Sequence, residues 1–271
     1  MTKQPELATA FHDLHRGPVL LRLANAWDVG SARLIERLGA PAIATTSAGV
    51  AWAHGYQDGD ALPVELVVST AAALARAVRV PVSVDFEGGY ADEPEAVAAL
   101  AARLIDAGVV GINLEDGGGT PDLLCAKISA IQRTASKLGV ALFINARTDV
   151  YLRGLVPAPA RVAESIARAT RYREAGASGI FVPGVVDAGA IAAIVRDVAL
   201  PLNVLAWPGL PAIAELASLG VRRLSAGSAI TQAVWGRAAA LATAFLDDAT
   251  GAVASDGSMA YGEINALLAP R

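Results

Sequence analysis

The 271-residue sequence predicts an α/β fold in which eight parallel strands and their connecting helices close into a (β/α)8 TIM-type barrel, followed by an extra C-terminal helical segment. Three observations carry that reading. Short apolar segments alternate with alanine-rich amphipathic segments along the whole chain, the pattern of repeated βα units. Eight such strands can be counted, which suits a closed barrel better than an open doubly wound sheet. No Gly-x-Gly-x-x-Gly follows the first strand, where Asn25-Ala26-Trp27-Asp28-Val29-Gly30 stands instead. We expect one barrel domain over residues 1–271, with 229–271 as its helical extension.

In chain order, the predicted strands are 19–23, 42–45, 82–84, 110–114, 141–145, 179–182, 202–205 and 223–226. The helical runs between them are 30–37, 63–77, 94–107, 121–137, 161–175, 188–198 and 211–219. Gly39, Gly108, Gly139, Gly176 and Gly220 fall where helix C-caps belong. Pro63, Pro94, Pro121 and Pro211 open helices, where proline's missing donor is harmless. Pro41, Pro81 and Pro201 stand at strand starts for the same reason. Residues 229–246 are apolar enough for burial, and a barrel needs only one helix there, so the surplus suggests contacts between subunits.

Composition narrows the function. A chain that is 54% hydrophobic and 18% charged can fill a large core and is not disordered. The net charge of −4, without a basic cluster interleaved with aromatics, argues against nucleic acid as partner. The lone Cys125 excludes an intramolecular disulfide framework and reads as a buried helix cysteine. No apolar stretch reaches the roughly 18 residues of a membrane span, and residues 1–17 lack the apolar core of a signal peptide. The expectation is a soluble cytoplasmic protein.

In a parallel barrel the C-terminal strand ends share one face, and that face carries the site. The third strand delivers Asp85 and Glu87 there. The second brings Thr45 to Gly49, the fourth Asn113, Glu115 and Asp116, and the fifth Asn145, Arg147 and Asp149. The last two add Asn203 and Ser225. Acids at the exit of a buried strand are costly without a positive partner, and oxygen ligands suit Mg²⁺ or Mn²⁺. A solvated surface turn is the alternative for Asp85 and Glu87, but convergence of acids from three strand ends favours the metal. Gly117-Gly118-Gly119 lacks the Lys-Ser/Thr of a phosphate loop, leaving either a flexible site loop or a plain surface turn. His12, His15 and His54 all lie early in the chain, so none is a candidate base. Trp27 and Trp52 flank the mouth, with core packing the plainer role.

These residues also resemble the isocitrate lyase/phosphoenolpyruvate mutase superfamily. The resemblance rests on Leu23 to Asp28 with Ser31-Ala32, Thr46 to Gly49, Val84 to Tyr90, Ile112 to Asp116 and Asn145 to Asp149, five motifs in order. It implies a barrel whose eighth helix is often exchanged between subunits of a homodimer or homotetramer. By the same resemblance Asp85, Glu87 and Glu115 hold Mg²⁺, with Mn²⁺ an alternative, directly or through water. Ser47, Ala48 and Gly49 cradle the substrate carboxylate or enolate oxygen with their backbone N–H groups. Arg147 binds the carboxylate, Asp58 closes over the site or shuttles a proton, and Asn203 hydrogen-bonds the substrate.

The implied activity is a Mg²⁺-dependent lyase acting on a small 2-oxo or 2-hydroxy carboxylate through an enolate, by C–C cleavage or decarboxylation. A C–P bond enzyme (a phosphoenolpyruvate mutase or phosphonopyruvate hydrolase) and a non-catalytic 2-oxo acid binder are the alternatives. Two departures stand out. Glu87 replaces the family's usual aspartate, and the loop after Glu115 carries neither the lyases' Lys-Lys/Arg-Cys-Gly-His sequence nor the lysine and asparagine of the phosphonate branch.

Overall fold

The computed structural model describes residues 4–247 and 257–269. Its sheet is entirely parallel. The strands are β1 (Leu21–Leu23), β2 (Asn25–Ala26), β3 (Ile43–Thr45), β4 (Val82–Asp85), β5 (Gly111–Glu115), β6 (Phe143–Arg147), β7 (Gly179–Phe181), β8 (Leu202–Leu205) and β9 (Arg223–Ser225). Only Ala24 separates β1 from β2; β1 pairs with β9 and β2 with β3, so the two are halves of one strand whose opposite edges close the barrel at eight positions. The expected TIM-type barrel is present.

Helices α1 (Gln4–Arg16), α2 (Val29–Arg37), α3 (Ser47–Ala53), α4 (Val64–Ala77), α5 (Pro94–Asp106), α6 (Pro121–Lys137), α7 (Arg161–Ala175), α8 (Ala188–Val198) and α9 (Ile213–Ser218) accompany the strands. Their ends obey local chemistry. All five predicted C-cap glycines have positive φ, from 71° at Gly139 to 110° at Gly176, a region costly for any side chain. Asp28 caps α2 by accepting the Ser31 N–H at 2.7 Å, while Ser31 Oγ accepts the Asp28 N–H in return.

Two helices were not expected. Polar α1 closes the bottom of the barrel: Phe11 and His15 pack their rings on Phe143, the first residue of β6. A Cβ at Gly111, the first residue of β5, would stand 2.6 Å from the Phe11 ring, so glycine is what admits this plug. Short α3 follows β3 directly and turns the Ser47–Gly49 segment into a helical first turn.

The C-terminal extension comprises α10 (Ala229–Asp247) and α11 (Tyr261–Leu268); the linker between them lies partly outside the described residues. The structure corrects the expectation of burial for 229–246. Thr231 is the one buried residue of α10, and Trp235 and Leu246 are 52% and 82% exposed, because the helix runs off the barrel instead of along it. Arg33 ties α11 to α2 through the carbonyls of Leu267 and Ala269. No helix among the described residues is long and apolar enough to cross a membrane.

Candidate active site

The inward positions near the C-terminal strand ends are polar, which a barrel filled only for stability would not need. Asp85 ends β4. Its N–H donates to Thr45 Oγ1 at 2.8 Å, and its Oδ2 accepts the Ser47 N–H at 3.3 Å. Its Oδ1 is buried without a partner. Burial pushes the Asp85 carboxyl above its usual range, Arg147 and the Ser47 N–H pull it back, and Asp58 adds a further upward push. Asp58 therefore lies within electrostatic reach of Asp85, on an exposed loop.

Glu115 and Arg147 end neighbouring strands in register, and an Arg147 Nη1–Glu115 Oε2 ion pair of 2.6 Å joins them. Arg147 also grips Asp149 with both prongs, Nε to Oδ1 at 2.7 Å and Nη2 to Oδ2 at 3.0 Å. Burial alone would depress the guanidinium, but Glu115 and Asp149 more than offset that and hold its pKa above the ordinary value. Burial raises Glu115 to about 8 despite Arg147, with Asp85, Asp149 and Glu87 adding to the rise. Asp149 is itself fully buried, and its N–H donates to Asp116 Oδ1 at 3.0 Å. The other Asp116 oxygen accepts Arg168 Nη1 at 2.9 Å and Tyr172 Oη at 2.6 Å, both from α7.

Glu87 is turned differently. Its Oε2 accepts the N–H groups of Gly59, at 2.9 Å, and Asp60, while its Oε1 accepts Tyr90 Oη at 2.5 Å. Burial raises it to about 7, against those hydrogen bonds and with Asp85 and Asp60 adding to the rise. Asp85, Glu87 and Glu115 thus share the mouth, but among the described residues no three His, Cys, Asp or Glu side chains are grouped closely enough to hold a metal between them. Mg²⁺ keeps several waters and takes only one or two carboxylates where a substrate completes its shell. The unpartnered Asp85 Oδ1 fits that requirement.

Of the backbone cradle, the Ser47 N–H faces Asp85, and the Ala48 and Gly49 N–H groups belong to the first turn of α3, which has no intrahelical acceptor. Gly49 is required by packing: a Cβ there would meet Thr46 Cγ2, Thr231 Oγ1 and Trp27 Cβ at 2.7–2.9 Å. Asn203 lies deeper, with its Oδ1 accepting Ser225 Oγ at 3.2 Å and its Nδ2 buried without a partner.

Sequence reasoning missed Arg223 beside it. That fully buried guanidinium donates to Ser225 Oγ at 3.2 Å and to Asn113 Oδ1 at 3.3 Å, with Nη1 unpartnered; burial lowers it to about 10, with Asp85 opposing. The period-two alternation of β9 puts Arg223 and Ser225 on one face and was the signal available. Tyr90 and Arg153 were also missed. Together with Lys127, Glu115 and the Gly117–Gly119 turn they line a cavity of about 470 Å³ beside the mouth. That glycine run is a tight turn, closed by the Gly119 N–H on Asp116 O at 2.6 Å. Cys125 is half-buried on α6, and His54 is exposed with its Nε2 3.0 Å from Thr70 Oγ1.

Fold and site together define a barrel enzyme with its polar groups gathered at the C-terminal strand ends. The sequence matches the family described as "Phosphoenolpyruvate phosphomutase" over residues 11–246. The chain belongs to that family, within the phosphoenolpyruvate mutase/isocitrate lyase superfamily of carbon–carbon lyases and mutases. It is 43% identical over 223 residues to an uncharacterized protein of Mycobacterium tuberculosis, covering 81% of this chain and 82% of that one. It is 29% identical over 237 residues to the oxaloacetate decarboxylase of Pseudomonas aeruginosa, covering 83% and 80%. A crystal structure from Burkholderia cenocepacia J2315, assigned only as a lyase/mutase, superposes with a TM-score of 0.89 at 34% identity, covering 98% and 97%.

Proposed function

We propose that the chain is a Mg²⁺-dependent lyase, with Mn²⁺ an alternative, acting on a small 2-oxo or 2-hydroxy carboxylate through an enolate, by decarboxylation or other C–C cleavage. The observation that carries this is the Arg147 guanidinium fixed by Asp149 and Glu115 beside a buried carboxylate oxygen, Asp85 Oδ1, that has no protein partner. Asp85 and Glu115 would hold the cation, Asp85 through the oxygen that has no protein partner. When bound, the cation supplies positive charge to the ketone oxygen as the adjacent bond breaks. Arg147 orients the substrate carboxylate with its planar fork, trading part of its contact with Glu115 for the ligand. The Ser47, Ala48 and Gly49 N–H groups stabilise developing negative charge on the same oxygen. Asn203 Nδ2 offers a donor from below. Asp58 closes the loop side, and the short glycine turn leaves room for water to return the proton to carbon.

The family description favours a C–P enzyme as the second reading; the absence of lysine and asparagine in the 117–120 turn weighs against it. One assay separates the readings. With Mg²⁺, oxaloacetate is expected to give pyruvate and CO₂ faster than the metal alone, and chelation to abolish the excess rate. Phosphate release from phosphonopyruvate would move the assignment to C–P chemistry. Tight Mg²⁺-dependent binding of 2-oxo acids without turnover would make the chain a binder. We further infer that a second copy covers α10, by helix exchange in a homodimer or homotetramer, because among the described residues most of its apolar side chains are left exposed.

A further inference from the structure

We propose that Glu87 acts with Tyr90 as the latch that positions the Asp58 loop, and not as a ligand of the cation. The latch stands on geometry alone; it draws on the functional reading only in that the loop carries Asp58.

Residues 55–61 are exposed throughout, so no apolar packing fixes the loop until Leu62 enters the core. What holds it is polar. The Glu87 carboxylate takes the N–H groups of Gly59 and Asp60 on one oxygen and the Tyr90 hydroxyl on the other. Such charge-assisted bonds are the stronger kind. The loop answers in kind: Asp60 Oδ1 accepts the Tyr90 N–H at 3.3 Å. Asp60 Oδ2 would stand 2.7 Å from a Cβ on Gly88, so a side chain at position 88 would force it to shift. From behind, Lys127 on α6 pins the same turn by donating to the Gly88 carbonyl at 2.7 Å.

The backbone agrees. Four non-glycine residues among those described have positive φ, and three are the latch partners: Asp60 at 55°, Glu87 at 49° and Tyr90 at 57°. Aspartate enters this region more readily than most, but glutamate and tyrosine seldom do, and such strain gathers at functional clamps. Side-chain length matters as well. An aspartate at 87 would fall about 1.5 Å short, one C–C bond, and could not reach the loop N–H groups. The glutamate therefore suits the loop, while Asp85 keeps the oxygen that faces the site.

Two measurements on the full-length protein decide this: amide hydrogen exchange over 55–61, and Mn²⁺ affinity measured with the metal alone. Glu87→Gln preserves the acceptor for the loop N–H groups and removes the charge a cation would need. It should leave Mn²⁺ affinity within about twofold and the loop protected. Glu87→Ala should raise exchange at Gly59 and Asp60 about tenfold or more, with Mn²⁺ affinity within about threefold. Tyr90→Phe should give a smaller rise in exchange and covers the case in which Glu87→Ala does not fold. A tenfold loss of Mn²⁺ affinity in Glu87→Gln, or unchanged loop exchange in both Glu87→Ala and Tyr90→Phe, would overturn the proposal. Failure of the wild type to bind Mn²⁺ would instead overturn the functional reading, leaving the exchange result to judge the latch.

Discussion

Replacing Asp85 with asparagine should make the metal-free protein no less stable while abolishing its response to Mg²⁺. The two effects share one cause. Asp85 is half-buried, its Oδ1 is buried without a partner, and desolvation raises its pKa, so its charged form is held against a penalty. A carboxyl whose folded-state pKa is raised contributes less to stability as pH climbs from its unfolded value through its folded one, because the folded state holds the proton longer. Asparagine removes that term, so the apo melting temperature of Asp85→Asn should equal or exceed wild type, most clearly at the alkaline end. In the wild type, Mg²⁺ at 100 times its Kd adds about 2.7 kcal/mol. At about 2–4 °C per kcal/mol for a chain of this size, that is a rise of roughly 5–10 °C. Asparagine presents a neutral amide and should cut the rise to about 1 °C or less. Differential scanning calorimetry with and without Mg²⁺ reads both numbers. An Asp85→Asn protein with a wild-type Mg²⁺ shift would refute the assignment of this oxygen to the cation.

Arg147→Lys keeps the charge but loses the fork that Asp149 and a substrate carboxylate both use. A titration with oxalate in Mg²⁺ should show a loss of about 1–3 kcal/mol, roughly 5- to 150-fold in Kd. Burial, reinforced by the Arg223 charge, drives His15 down to about 3 from the ordinary 6.5. Its folded form thus stays neutral while the unfolded chain takes up a proton below pH 6.5, so stability falls with pH across that window. Between pH 7 and 4.5 this is worth about 2–3 kcal/mol, and urea unfolding of His15→Gln should show a shallower acid loss; an identical loss would exonerate His15. Trp235→Asp on α10 should shift the particle toward monomer in light scattering, whereas an unchanged mass would remove α10 from the interface.

What the sequence makes legible follows from how local each cause is. Strand ends are readable because apolar runs stop where carboxylates start, so Asp85, Glu115 and Arg147 could be placed from their own neighbours. The five capping glycines are equally local. Plug helix α1 escaped because its polar surface hides a sparse apolar stripe of Leu7, Phe11 and Leu14, which matters only once Gly111 and Phe143 stand beneath it. Arg223 escaped because an arginine beside another arginine reads as surface, and only the barrel's closure turns it inward. Glu87 could be ranked as an acid at a strand end, but its partners are backbone groups 27 and 28 residues away. No pattern of side chains announces a backbone donor.

The two walls of the mouth are built on different principles, and that difference bears on how a reaction would proceed. On the β5–β6 side a buried relay runs from Arg168 and Tyr172 through Asp116 to the Asp149 N–H, and from the Asp149 carboxylate to Arg147. The Asp116 and Asp149 carboxylates at its centre are fully buried, so the plane of the Arg147 fork is set before any ligand arrives, the preorganisation that lets a receptor act without reorganising. On the opposite side the 55–61 loop rests on a few polar contacts beside solvent, with one left-handed residue, Asp60, in the loop and two, Glu87 and Tyr90, in the turn that holds it. Segments held that way open at the lowest free-energy cost in a fold. On the proposed function, ligand entry and exit would fall to the Glu87 side and recognition of the carboxylate to the Arg147 side. Loosening Tyr90 should change how fast ligands come and go, while loosening Asp116 should change which ligands are held.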